Sequence, residues 1–286
     1  MEKFGMKKEN GKMLEKMLEN VREKMPLIHN ITNYVTVNDC ANILLACGGS
    51  PIMADDIGEV EEITSICGGL NINIGTLNER TIRSMLAAGK KANELGHPVI
   101  LDPVGAGASS LRTNTAYTLL EEVKFSVIRG NISEIKTLAL GGGTTKGVDA
   151  DVADRVTDET LDSVIAFAKE FSRKTGAVIA ITGVIDIVAD AQKAYVIRNG
   201  VPVMSQITGS GCMLTAMTAA YITANPQEIL EAAAAAVCAM GLCGEKAYEV
   251  MKKNNAGNSS FRNYLIDEIY KLDGAALKEG AKYEIR

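Results

Sequence analysis

Apolar positions along the chain follow two alternating rhythms. Met13, Leu14, Met17, Leu18 and Val21 recur at helical spacing, and Pro26 closes that first helix. A second helix is predicted from Tyr34 to Cys47, stopped by Gly48-Gly49. Pro51-Ile52-Met53 predicts a short strand, followed by a helix from about Gly58 to Cys67. Leu70-Asn71-Ile72-Asn73-Ile74 alternates apolar and polar as a strand does, and Asn78 to Leu95 returns to helix with Gly96 just past its end. Val99-Ile100-Leu101 is continuously apolar, as in a parallel strand covered on both faces, and it ends at Asp102-Pro103.

The alternation continues through a helix at Leu111 to Val123, a strand at Phe125 to Ile128 and a helix at Ser133 to Leu140. After Gly141-Gly142-Gly143, Thr157 to Lys174 predicts a helix and Ala177 to Ile181 a strand. Ile185 to Val188 and Lys193 to Ile197 read as an antiparallel pair joined by a short turn. Three helices follow, at Gly211 to Ala224, Pro226 to Lys252 and Phe261 to Leu272. Strands alternating with helices imply βαβ units, hence an α/β fold with a mostly parallel central sheet, helices on both faces and a late antiparallel edge pair. No linker, repeat or low-complexity tract interrupts residues 1–286, which are expected to form one domain. In such a sheet the ligand site lies at the carboxyl ends of the strands.

Composition narrows the function. The 286 residues are 47% hydrophobic and 23% charged, enough apolar material for a core without disulfides or metal. The net charge of −5 and the absence of any basic run longer than two residues argue against a nucleic-acid partner. The absence of Trp and the 5% of aromatics argue against stacking platforms for single strands as well. Cys40, Cys47, Cys67, Cys212, Cys238 and Cys243 are scattered without a C-x-x-C, and His29 and His97 are the two histidines, so no zinc cluster is expected. The N-terminus mixes Lys and Glu without an apolar core, and the Ala-rich stretch from Ile229 to Gly244 is too short to span a bilayer. These features predict a cytoplasmic protein with no membrane partner.

Candidate chemistry gathers after strands. Thr208-Gly209-Ser210-Gly211-Cys212 opens a helix, where two glycines let the backbone approach a ligand and the first-turn N–H groups form an anion hole. The same segment also reads as an ordinary Gly-rich helix entry. The helix terminus is expected to lower the Cys212 thiol pKa. Arg129-Gly130-Asn131-Ile132-Ser133-Glu134 supplies a phosphate-pairing guanidinium and two oxygen donors one helical turn apart, suited to Mg²⁺ or equally to an N-cap with a capping-box Glu. Asp102 stands at a strand end before Gly105 and Gly107; the third glycine of a dinucleotide fingerprint is missing, since position 110 is Ser110. Lys146 precedes Gly147, the wrong order for a P-loop. Thr182-Gly183 with Asp186 suits either a nucleotide contact or a plain tight turn. His29, beside Asn30 and ahead of the second helix, is read as structural.

Taken together and in order, His29 to Val35, Pro51 to Ala54, Leu101 to Ala106, Arg129-Gly130-Asn131 with Glu134, Gly147-Val148-Asp149, Thr182-Gly183 and Thr208 to Cys212 resemble the hydroxyethylthiazole kinases, within the ribokinase-like superfamily. The resemblance covers roughly residues 26–250 and implies the three-layer ribokinase-like fold. It implies ATP- and Mg²⁺-dependent phosphorylation of 4-methyl-5-(2-hydroxyethyl)thiazole in thiamine salvage, by a homotrimer with active sites shared between neighbouring subunits. It further implies that Met53, Asn30 and Gly209 contact the thiazole alcohol, that Arg129, Thr182 and Asp102 serve ATP, and that Asn131 and Glu134 organise Mg²⁺. Gly209, Gly211 and Cys212 would form the catalytic turn. Most ribokinase-like enzymes are similar in carrying Asp where this chain has Cys212. A kinase for hydroxymethylpyrimidine and a nucleotide-dependent hydrate dehydratase are the competing readings, the latter disfavoured by Cys212.

Overall fold

The structure is a computed structural model describing residues 2–141 and 155–286. The strands in chain order are β1 (Leu27–Ile31), β2 (Ser50–Met53), β3 (Gly69–Asn73), β4 (Val99–Asp102), β5 (Val127–Gly130), β6 (Val178–Ile181), β7 (Asp186–Ala189), β8 (Ala194–Ile197) and β9 (Tyr283–Ile285). The helices are α1 (Glu2–Lys24), α2 (Val37–Cys47), α3 (Val60–Ile66), α4 (Glu79–Leu95), α5 (Ser110–Glu122), α6 (Ile132–Gly141), α7 (Leu161–Thr175), α8 (Ser210–Ala224), α9 (Ile229–Lys253), α10 (Asn258–Lys271) and α11 (Gly274–Gly280).

These strands form one sheet in the order β2-β1-β3-β4-β5-β6-β7-β8-β9. The first six run parallel and the last three are antiparallel. Two cores sandwich the sheet. Ile28, Ile100, Val127 and Ala180 face α1, α2, α8, α9 and α10, while Leu101, Ile128, Ile179 and Ile181 face α4 to α7. Neighbours such as Val127 and Ile128 fall in opposite cores, as the two-residue period of a strand requires. This is why Val99 to Leu101 and Val178 to Ile181 read as unbroken apolar runs.

Four elements depart from the sequence expectation: β1, α11, β9 and the start of α2. β1, second from the edge, was not expected because His29 and Asn30 interrupt its apolar run; both are buried and hydrogen-bonded within the protein. The antiparallel region holds a third strand, β9, reached through α11, so the tail closes the sheet edge. It is anchored by Asn199, whose Nδ2 donates to Gly280 O at 3.0 Å and whose Oδ1 accepts from Lys282 N at 2.7 Å. Helix α2 begins at Val37 rather than Tyr34, because Asn33 Oδ1 accepts from Thr36 N at 3.1 Å and holds a turn there.

Helix α8 is buried on every face from Cys212 to Ile222, lying between the sheet and α2 and α9. Its N-terminus therefore meets the carboxyl ends of β3, β4 and β5. No helix among the described residues is long and apolar enough to cross a membrane.

Candidate active site

The parallel register aligns the strand ends. Asn73 at the end of β3 pairs with Asp102 at the end of β4, and Gly130 of β5 pairs with Ile181 of β6, immediately before Thr182. Asp102 is fully buried, and its Oδ2 accepts from Asn73 Nδ2 and from Thr215 Oγ1, both at 2.8 Å. Arg129 Nη1 stands 3.7 Å from the same oxygen, while its Nη2 donates to Thr182 Oγ1. Burial pushes the Asp102 carboxyl up to about 6; Arg129 opposes this, the Glu134 charge adds to it, and the Thr215 and Asn73 hydrogen bonds oppose it.

Helix α8 enters this cluster through Gly209 in the left-handed region, at φ 84°. A side chain there would strain the turn and press on Thr36. At Gly211 a Cβ would lie 2.5 Å from Arg129 Nη1, so the missing side chain lets the guanidinium rest against the helix start. The first-turn N–H groups of α8 have no intrahelical partners and carry the positive end of the helix dipole. Guanidinium and helix terminus together make a site for an anion.

Cys212 sits within the same group. Its Sγ accepts from Asn33 Nδ2 at 3.2 Å and from Asn73 Nδ2 at 3.3 Å. Burial raises the thiol pKa, Asp102 adds to the rise, and the hydrogen bonds of Thr36, Asn33 and Asn73 oppose it. Burial and Asp102 thus work against the lowering expected from the helix terminus, and favour the thiol over the thiolate.

Glu134 caps α6 rather than standing free. Its Oε2 accepts from Asn131 N, while Asn131 Oδ1 accepts from Glu134 N, both at 2.9 Å. The other oxygen, Oε1, accepts from Gly105 N at 2.8 Å and ties the β4–α5 loop to α6. Asp102 Oδ1 is buried with no partner among the described residues. Orphaned Asp102 Oδ1 and the unused lone pairs of Glu134 are hard oxygen donors of the kind Mg²⁺ takes. The Asn131 amide oxygen is already used in the cap.

A cavity of about 760 Å³ adjoins the cluster, lined by Asn131, Ile132, Val156, Thr182, Val184 and Ile185 among others. Thr182 thus faces both the cavity and Arg129. Asp186 Oδ1 accepts from Gly183 N at 2.8 Å and fixes the turn that carries Val184. Burial pushes Asp186 up to about 7, opposed by the Gly183 bond and Arg129.

The structure therefore brings together Gly209, Gly211, Cys212, Asp102, Arg129 and Thr182, with Asn131 directly after β5 and Glu134 in the first turn of α6. Met53 lies at the end of β2, partly exposed. Asn30 pairs with it in register, but the Asn30 amide donates to Ile28 O and accepts from Asn71, so its side chain turns into the sheet. Asn33, three residues on, reaches the cluster instead. His29 is held by Thr64 Oγ1 and Ala54 O, each at 2.9 Å, and is structural as expected. Gly147-Val148-Asp149 and Lys146 lie outside the described residues. Asn33, Asn73 and Thr215 were not singled out individually from sequence; Thr215 had one signal, its place one helical turn after Gly211.

The Hydroxyethylthiazole kinase family matches residues 18–275. The chain belongs to that family. It is 74% identical over 272 residues to a hydroxyethylthiazole kinase of Clostridium acetobutylicum, covering 95% of this chain and 99% of the relative. The solved hydroxyethylthiazole kinase of Pyrococcus horikoshii OT3 superposes with a TM-score of 0.85 at 35% identity, over 96% of this chain and 99% of that one. A ribokinase-like superfamily protein of Enterococcus faecalis shares the fold alone, with a TM-score of 0.60 at 13% identity, over 92% of this chain and 95% of that one. The family assignment accords with the ribokinase-like three-layer architecture.

Proposed function

We propose that this chain, acting as a single catalytic domain, transfers the γ-phosphoryl group of ATP to the hydroxyl of 4-methyl-5-(2-hydroxyethyl)thiazole, a step of thiamine salvage. The observation that carries this reading is the position of Arg129. Its guanidinium bonds Thr182, which lines the large cavity, and rests on Gly211 at the start of α8. One side chain thus joins a space large enough for a nucleotide to the anion hole where the phosphoryl group is passed.

In this reading the base of ATP occupies the cavity against Ile132, Val184 and Ile185, with Thr182 and Arg129 taking the phosphates and Asp102 beside them. Gly209 and Met53 border the thiazole alcohol, and Asn30 holds the end of β1 beside Met53. The alcohol oxygen forms the new bond to phosphorus while the bond to the β-phosphate oxygen breaks. Because the transition state is loose, the alcohol proton need not leave early and passes to an oxygen of the transferred group or to solvent as ADP departs. A neutral Cys212 therefore serves to orient the alcohol, and the first-turn N–H groups of α8 and Arg129 stabilise the charge on the transferred group. Mg²⁺ would be held by Asp102 and Glu134, with Asn131 fixing Glu134, and supplies charge neutralisation at the phosphates when bound.

The enzyme is further proposed to act in the cytoplasm as a homotrimer with shared active sites. Support comes from its free cysteines and from the exposed apolar side chains Tyr34, Val35, Leu45, Ile57 and Ile66, on segments near the free edge of β2. Light scattering that returns the mass of one chain would overturn the trimer. The test of the reaction is ADP release dependent on the thiazole alcohol; ATP turnover that ignores the alcohol would overturn it.

A further inference from the structure

We propose that Asn73 is a positioning residue for phosphoryl transfer, fixing the Cys212 sulfur relative to the Asp102 carboxylate through the two hydrogens of one amide. The inference rests on the kinase reading above. Asn73 is buried, 1% exposed, at the end of β3. Its Nδ2 donates to Asp102 Oδ2 at 2.8 Å and to Cys212 Sγ at 3.3 Å. An amide nitrogen has two hydrogens, so both are used, and on two groups that come from different elements, β4 and α8.

The orientation of the amide is dictated by its surroundings. Asn73 Oδ1 accepts from Gly75 N at 2.9 Å and from Asn33 Nδ2 at 3.0 Å. A backbone N–H can only donate, so the oxygen must face Gly75 and the nitrogen must face Asp102 and Cys212. Asn33 is locked by the same logic. Its Oδ1 accepts from Thr36 N at 3.1 Å, which leaves its Nδ2 to meet Asn73 Oδ1 and Cys212 Sγ. The sulfur is thus held as an acceptor between two amides that cannot turn over. Helix α8 joins β3 through that contact, and Asp102 joins β3 through the other.

A bridge of this kind is worth most where distances between reacting groups matter. The carboxylate beside the phosphates and the thiol beside the alcohol belong to different elements, and Asn73 is the side chain that bonds both. Replacing it leaves the nucleotide cavity and the Arg129–Thr182 contact untouched, so binding should persist while the chemical step slows.

The experiment measures kcat and KM for ATP and for the thiazole alcohol in wild type, Asn73→Ala, Asn73→Ser and Cys212→Ala, and in Asn73→Ala combined with Cys212→Ala. The expected result for Asn73→Ala is a kcat lower by about tenfold or more with both KM values within roughly threefold, the signature of a lost bonding amide rather than lost binding. Asn73→Ser, which keeps one donor hydrogen, should recover part of that loss. In the Cys212→Ala background the Asn73→Ala penalty should shrink, because one of its two targets is gone. Should Asn73→Ala fail to fold, Asn73→Ser alone decides, by its kcat in the two backgrounds. An unchanged kcat in a folded variant, a loss confined to KM, or an equal penalty in both backgrounds would overturn the proposal while leaving the kinase reading intact. Absence of thiazole-dependent turnover in wild type would overturn both.

Discussion

Adding one methyl group at Gly211 separates function from stability. A Cβ there would lie 2.5 Å from Arg129 Nη1, 2.9 Å from Nη2 and 3.1 Å from Cζ. Ordinary contact requires the guanidinium to retreat by roughly 1 Å, and a long flexible side chain can do so at little cost to folding. Gly211 lies in the first turn of α8, where Ala is the better helix former by up to about 1 kcal/mol. The melting temperature of Gly211→Ala should therefore be unchanged or slightly raised. The displaced guanidinium, only 13% exposed in its present seat, loses its bond to Thr182 and its place at the anion hole. Loss of a charge-assisted hydrogen bond costs about 1.5–3 kcal/mol, which corresponds to a fall of roughly 10- to 150-fold in kcat/KM for ATP. A coupled ADP-release assay over a range of ATP concentrations, with thermal melts on the same samples, reads both quantities. A variant with wild-type kcat/KM for ATP would refute the role given to Arg129. Equal losses of stability and activity would refute the separation.

Three other variants probe different parts of the account. Asp186→Asn keeps the oxygen that accepts from Gly183 N but removes a charge that burial disfavours. Because the folded carboxyl holds its proton up to about 7 against an ordinary 3.8, its contribution to stability is full at low pH and lost as pH rises through 7. The substitution should raise the melting temperature at pH 8 by several degrees, a gain that narrows toward pH 5 in thermal melts; a gain independent of pH would contradict the burial argument. Cys212→Asp should retain or raise turnover, since it restores the carboxylate typical of the superfamily, and complete inactivity with an intact fold would count against the orienting role. Asn199→Ala removes bonds to Glu245, Gly280 and Lys282 and should cost about 2–3 kcal/mol in urea unfolding, with early proteolysis of the tail after Leu272. A tail as resistant as in wild type would show that the β8–β9 ladder alone holds it.

The sequence made the repeating βαβ frame legible where a parallel strand is buried on both faces and appears as an apolar run, as in Val99 to Leu101 and Val178 to Ile181. Where polar residues are satisfied inside the sheet, that signal fails. Leu27-Ile28-His29-Asn30-Ile31 hides a strand because the partners of His29 and Asn30, at Thr64, Ala54 and Asn71, are distant in sequence. The same cause hid Asn73. In an alternating Asn-Ile-Asn-Ile pattern it reads as the solvated face of a strand, yet Asn71 and Asn73 are both buried. The glycine turn and Arg129 were legible because their chemistry is local to a strand end or a helix start. The direction of the thiol pKa was not, since it is set first by burial in the rest of the fold. The Asn131–Glu134 pair carried two readings, and the capping box is formed, with Glu134 keeping lone pairs for a cation.

The most direct test of the central claim is coupled ADP release with ATP and Mg²⁺, run with the hydroxyethylthiazole alcohol, with hydroxymethylpyrimidine and with no acceptor. Turnover with the thiazole well above the other two is the predicted result. Equal turnover in all three, or selective turnover with the pyrimidine, would contradict the substrate assignment and leave only the fold and the anion site standing.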